Sequence, residues 1–224
     1  MQLLIDGDDT LWENNVHFER AVEEFIDRLQ HSRLSRDEVR AVLDEIERLN
    51  LSTHGYGSRA FALNLRQAYL RLAERPAADH ELDAIEALGH RVREQPLELI
   101  AGVTDTLDAL ADRHTLRLLT KGHRDEQLVK VEASGLRRFF AEVVVVAEKE
   151  VSTYRDIVAG RSLDPGQTWM VGNSPRSDIN PALAAGLGAV YVPHPATWRL
   201  EHEELASGAR LLVLESFREL TGHF

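Results

Sequence analysis

The spacing of apolar runs constrains this chain more than any other feature. A short run, Leu3, Leu4 and Ile5, is followed from residue 14 to about 95 by helical spacing alone; after Pro96, short apolar runs alternate with helical stretches. The runs at 116–119, 143–146, 168–171 and 189–192 are too short for helices and read as buried strands, with 211–214 a candidate for a last one. Helices are expected between them at about 104–112, 124–133, 153–160 and 179–185, with Gly135 and Gly186 suited to the residue just past a helix end. Alternation of this kind predicts an α/β fold with a parallel sheet flanked by helices. The strand at 3–5 belongs to the same sheet. The helical block therefore interrupts the α/β domain between its first and second strands, giving an expected core of residues 1–13 and 97–224 and an inserted α-helical bundle of 14–96 beside the carboxyl edge.

Within the insertion, Val16, Phe18, Val22, Phe25, Ile26 and Leu29 mark the apolar face of a first helix. Ser35 followed by Glu38 forms a capping-box signal for a second, which carries Val39, Val42, Leu43 and Ile46. The pattern breaks over 50–57, then resumes in a third helix at 58–72, before Pro76, and a fourth at 79–93, before Pro96. The irregular stretch 52–59 holds two glycines, Tyr56 and Arg59, a set able to line a specificity pocket, although an ordinary connection between helices has the same composition.

Composition removes several function classes. The 224 residues include no cysteine, which excludes disulfides, zinc–thiolate sites and thiol nucleophiles. A formal charge of −11 repels phosphate backbones, so nucleic acid is not an expected partner. No apolar stretch approaches the length of a membrane span and the first strand leaves no room for an export signal, so a soluble, cytoplasmic protein without membrane contacts is expected. Oligomeric state carries no sequence signal. Lysine is scarce: Lys121, Lys130 and Lys149 stand among 23 arginines.

The strand ends carry the chemistry. Asp6 and Asp8 follow the first strand at the carboxyl edge, where open α/β sheets bind ligands, and their spacing turns both to one side. Two such carboxylates either bind a cation or share a proton; an acidic turn after an edge strand has the same composition. Thr120, Lys121 and Gly122 end the second strand, offering a hydroxyl and free amides to a phosphate oxygen. Lys149 follows the third strand, where an ammonium would keep Asp6 ionised and offset a bound phosphate. Lys130 falls on what the pattern predicts to be a solvated helical face. After the fourth strand come Gly172, Asn173, Ser174, Pro175, Arg176, Ser177 and Asp178, in which Asn173 and Asp178 are hard oxygen ligands of the kind Mg2+ takes, and Asp178 is equally suited to cap the next helix.

Taken in order, Asp6-Gly7-Asp8-Asp9-Thr10-Leu11, Thr120, Lys149, and Gly172-Asn173-Ser174 through Asp178 resemble the four motifs of the haloacid dehalogenase superfamily of phosphohydrolases, and the helical insertion resembles that superfamily's cap. The resemblance spans essentially the whole chain. It implies that Asp6 is the nucleophile, forming an aspartyl-phosphate, and that Asp8 is the general acid and base. It also implies that Thr120 and Lys149 hold the transferring phosphoryl group, with Lys121 a competitor for the lysine role. Mg2+ would be bound by Asp6, the Asp8 main-chain carbonyl, Asn173 and Asp178. Two positions depart from the common pattern: Asn173, where many relatives have Asp, and Asp9, where Gly is common. The implied activity is Mg2+-dependent hydrolysis of a small phosphorylated metabolite. A phosphomutase or phosphotransferase on the same core and a non-catalytic binding protein stand as alternatives. Dehalogenases of the superfamily lack the second aspartate, and no lysine before Lys121 is available for Schiff-base chemistry from the cap.

Overall fold

The computed structural model describes residues 1–224. The chain divides into two compact units, Met1–Asn14 with Leu97–Phe224, and Asn15–Pro96.

In the first unit, six parallel strands form one sheet: β1 (Gln2–Ile5), β2 (Thr115–Lys121), β3 (Glu142–Val146), β4 (Thr168–Gly172), β5 (Gly188–Tyr191) and β6 (Leu211–Val213), in the order β3-β2-β1-β4-β5-β6. Both faces of β1 are buried, which is why it reads as an unbroken apolar run. Leu3 and Ile5 join a core with Val103, Leu107 and Leu110 of α5 (Val103–Ala111) and Val131 of α6 (Arg124–Ser134). Leu4 turns to the opposite core, with Tyr154 and Ile157 of α7 (Val151–Gly160) and Ala182 of α8 (Asn180–Ala184). From β1 the chain moves outward on one side through β2 and β3 and on the other through β4 to β6. The strand order thus reverses between β1 and β4, which in open parallel sheets is where a crevice opens at the carboxyl ends.

Some boundaries differ from expectation. β2 runs two residues further, so Lys121 ends the strand instead of opening the loop. The helix expected at 179–185 is a π-helical turn, Pro175–Ile179, followed by the short α8; the Asn180 amide reaches back to the Pro175 carbonyl because Ser174 caps the turn early. Gly188 opens β5 at a point where the Trp169 ring lies so close that a Cβ would come within 2.3 Å of it.

The second unit is four helices, α1 (Asn15–Leu29), α2 (Arg36–His54), α3 (Ser58–Leu72) and α4 (Asp79–Arg91), packed around Val22, Phe25, Leu43, Ile46, Phe61, Leu65, Ile85 and Leu88. The capping box of Ser35 and Glu38 forms at the start of α2. That helix continues through His54, so the stretch 52–59 is not an irregular loop: only Gly55, Tyr56 and Gly57 lie between α2 and α3. Gly55 and Gly57, with φ of 66° and 101°, make the turn that a side chain would strain. Ser52 and Thr53 are weak helix formers, yet the helix persists to the first residue able to leave it. No helix is long and apolar enough to cross a membrane.

Candidate active site

The loop after β1 is a compact turn. The Asp6 amide donates to the Val171 carbonyl at 2.9 Å, and the Gly7 carbonyl accepts the amides of Thr10 at 3.2 Å and Leu11 at 2.8 Å. Asp9 supplies the left-handed residue with φ of 59°, a conformation Asp visits more readily than most. Gly7 is required by Trp12, whose ring would lie 2.7 Å from a Cβ. The turn thereby aims the side chains of residues 6, 8 and 10.

Asp6, Lys149, Asp178 and Asn173 are brought together behind it. Lys149 Nζ donates to Asp6 Oδ1 at 2.5 Å and to Asp178 Oδ1 at 2.7 Å, an ammonium lodged between two carboxylates with 3% of its surface exposed. Thr10 Oγ1 lies 3.2 Å from Asp6 Oδ2 and 3.3 Å from Asn173 Oδ1, so one hydroxyl spans both oxygens. Asn173 Nδ2 donates to Thr197 Oγ1 at 2.8 Å, which turns the amide oxygen toward Thr10. Asp178 is the fourth residue of the π turn; its Oδ2 accepts the Ser174 amide at 3.0 Å. Gly172 makes room for it, since a Cβ there would sit 2.2 Å from Asp178 Oδ2. The cap of the turn is Ser174, not Asp178, because the serine hydroxyl already accepts the Ser177 amide at 2.9 Å.

Two buried carboxylates and one buried ammonium leave an excess of negative charge. Burial, reinforced by the Asp178 charge and opposed by Lys149, pushes the Asp6 carboxyl up to about 7. Lys149 is itself held above the ordinary lysine range: burial lowers it, but Asp178 and Asp6 outweigh burial. The donor set suits a hard divalent cation, with Asp6, Asn173 and Asp178 offering buried carboxylate and amide oxygens and no soft ligand. A second positive charge on those oxygens would offset the excess.

The Asp8 side chain has a separate set of partners. Its Oδ1 accepts from Trp12 Nε1 at 2.7 Å and its Oδ2 from Gln127 Nε2 at 3.0 Å. Lys130 Nζ binds both oxygens, at 2.8 and 2.9 Å. Burial raises the Asp8 pKa, but the Lys130 charge and the donated hydrogen bonds bring it below the ordinary carboxylate range. Lys130 therefore does not lie on a solvated face; α6 turns it inward onto Asp8. Thr120 Oγ1 donates to Gln127 Oε1 at 2.8 Å and joins Asp8 through that amide, with no direct bond to Asp6.

Lys121 points elsewhere. Its Nζ binds Glu201 Oε1 at 2.5 Å, Ser177 Oγ at 2.7 Å and Glu148 Oε1 at 3.3 Å, which makes it a brace beneath the π turn. Buried Glu201 also accepts from Ser174 Oγ. Tyr56, half-buried in the turn after α2, and Arg59, exposed in the first turn of α3, belong to the helical unit. His194 sits between Glu13, with Nε2 3.3 Å from its carboxylate, and Asp9, 3.8 Å from Nδ1. Gln127, Lys130 and Glu201 are the contributors that motif spacing passed over, while Thr10 lies within the first motif without an assigned role. The scarcity of lysine pointed to Lys130 as much as to Lys149, and Gln127 stands one helical turn before it; nothing in the sequence marks Glu201.

Comparison with known proteins agrees with this architecture. The family described as haloacid dehalogenase-like hydrolase matches residues 3–186. A haloacid dehalogenase-like family hydrolase from Xanthomonas campestris is similar at 29% identity, with a TM-score of 0.87 over 100% of this chain and 89% of that one. The protein YfnB from Bacillus subtilis, solved bound to magnesium, gives 18% identity and a TM-score of 0.68 over 99% and 97% of the two chains. A predicted phosphoglycolate phosphatase from Haemophilus somnus gives 16% and 0.65 over 99% and 96%. Curated proteins give no match.

Proposed function

The chain belongs to the haloacid dehalogenase-like hydrolase family, and from that premise we propose that it is a Mg2+-dependent phosphohydrolase that cleaves a small phosphomonoester through an aspartyl-phosphate on Asp6. The observation that carries this reading is the convergence of the Asp6 carboxylate, the Lys149 ammonium and the Asn173 and Asp178 oxygens in one buried cluster at the reversal of strand order. Such a cluster can stabilise charge on a transferring phosphoryl group because its buried groups are held in fixed orientations.

Mg2+, held by Asp6, Asn173, Asp178 and the Asp8 main-chain carbonyl, would supply Lewis-acid neutralisation of the phosphoryl oxygens. Asp6 attacks phosphorus in line; the Asp6 oxygen–phosphorus bond forms as the ester oxygen–phosphorus bond breaks, and Asp8, a carboxylate at rest, relays a proton from solvent to the alkoxide leaving group. Lys149 holds Asp6 in place and meets the charge gathering on the phosphoryl oxygens. The Thr120 hydroxyl turns from Gln127 to a phosphoryl oxygen. In the second step water attacks phosphorus, the bond to Asp6 breaks, and the proton from water passes to the Asp8 carboxylate. Asp8 is an expected participant that a halide leaving group would not need, which favours phosphate esters over haloacids. The test is release of inorganic phosphate from a panel of alkyl and aryl phosphomonoesters with Mg2+ and with EDTA. Metal-dependent turnover is expected; none across the panel, with Mg2+ measurably bound, refutes the reading.

A further inference from the structure

The face of α6 turned toward the first loop carries a group that the four motifs do not include. Gln127 and Lys130, three residues apart and therefore on one side of the helix, both reach Asp8. An ammonium has three donors, and Lys130 uses them on Asp8 Oδ1 at 2.8 Å, Asp8 Oδ2 at 2.9 Å and Asn14 Oδ1 at 2.7 Å. Both oxygens of Asp8 carry a second donor, Trp12 Nε1 on Oδ1 and Gln127 Nε2 on Oδ2. Gln127 is fixed in turn by the Thr120 hydroxyl, so a continuous chain runs from Thr120 through Gln127, Asp8 and Lys130 to Asn14. Isolated surface ion pairs contribute little. This pair is largely shielded, with the two side chains about a quarter exposed at 26% and 23%, and it grips both carboxylate oxygens.

We propose that Lys130 is the positioning residue for the proton-carrying carboxylate of Asp8, resting on the reading of Asp8 given above. Lys130 fixes the rotamer of Asp8 and anchors it to Asn14 at the end of the loop; Gln127 sets the second oxygen and couples it to Thr120. Without the ammonium, Asp8 keeps only two neutral donors and is free to turn away from the reacting ester. Lys130 makes no bond to Asp6, Asn173, Asp178 or Lys149, so its loss should act on proton transfer and leave phosphate binding in place.

The test compares wild type with Lys130→Met, Lys130→Arg and Lys130→Gln. For alkyl phosphates, whose leaving group needs the proton, kcat of Lys130→Met should fall roughly 10- to 100-fold, part of the range general acid–base catalysis supplies, with KM changed less than about threefold. Aryl phosphates should lose less, and Lys130→Arg should recover most of the alkyl rate. A second readout needs no turnover. The chain has three tryptophans, and Trp12 donates its indole N–H to Asp8. In nitrogen-15 spectra assigned with Trp169→Phe and Trp198→Phe, the Trp12 indole signal should shift and exchange faster with solvent in Lys130→Met, and stay near wild type in Lys130→Arg. Lys130→Gln replaces the methionine variant in both readouts if the latter does not fold. A Trp12 signal unmoved by loss of the ammonium overturns the proposal, as does an equal fall in rate for alkyl and aryl esters. Absence of phosphate release by wild type would refute the phosphohydrolase reading instead, and the indole signal would still decide whether Lys130 positions Asp8.

Discussion

Replacing the Asp6 carboxylate by an amide should make the protein more stable, and the gain should depend on pH. Asp6 is buried beside Asp178, and its carboxyl is raised from 3.8 to about 7. The folded protein therefore keeps a proton that the unfolded chain has already released. Because the folded value lies above the unfolded one, stability is fully present below about pH 4, falls as pH rises toward 7 and levels off beyond. At about 1.4 kcal/mol for each tenfold change in proton affinity, the ionised carboxylate costs the metal-free fold up to about 4 kcal/mol at pH 8. Asp6→Asn keeps an oxygen for Lys149 and removes the titration. Urea unfolding in EDTA should find the variant and wild type equal near pH 4, with the variant more stable by a few kcal/mol at pH 8. Added Mg2+ should narrow the gap by stabilising wild type more than the variant. A gap that is absent at pH 8, or the same at every pH, would refute the account of a charge-strained nucleophile.

Other positions give sharper local tests. Lys149→Met leaves Asp6 and Asp178 without their shared ammonium and should cost about 3–5 kcal/mol at pH 8, the range for breaking a buried ion pair, with less loss at pH 5 as Asp6 takes up a proton; denaturant midpoints at the two pH values check it. Glu201 is held below its ordinary value despite burial, by the Lys121 charge and the hydrogen bonds it receives, so its stabilisation is fully present above about pH 4.5 and is lost as pH falls below that, through the depressed folded value. Glu201→Gln should cost on the order of 3 kcal/mol at neutral pH and flatten the acid side of the stability profile. Gly172→Ala places a methyl 2.2 Å from Asp178 Oδ2; thermal unfolding should show a loss of about 1–3 kcal/mol, accompanied by weaker Mg2+ binding in calorimetry.

The sheet was legible because β1 is buried on both faces and so carries Leu3, Leu4 and Ile5 without a polar interruption, and the later strands are short apolar runs separated by helical stretches. Asp6, Lys149, Asn173 and Asp178 could be read because a strand's end fixes where the next side chains go. What spacing cannot register is contact across elements. Lys130 and Gln127 lie mid-helix, where period alone assigns a polar residue to solvent; only the approach of α6 to the first loop turns them inward. Lys121 stood second to Lys149 for the lysine role because of its place at the second strand, and β2 carries it to Glu201 and Ser177. The end of α2 was misplaced because Ser52 and Thr53 suggest a break that the helix ignores until Gly55.

The central claim is that Asp6 carries the phosphoryl group. An acid-quenched single-turnover reaction with an aryl phosphate and Mg2+, followed by mass spectrometry of the peptide containing Asp6, tests it directly. The account predicts a transient phosphoryl group on Asp6, formed before free phosphate appears and absent in Asp6→Asn. Phosphate released at the wild-type rate by Asp6→Asn, or by wild type with Asp6 unmodified at every quench time, would contradict it.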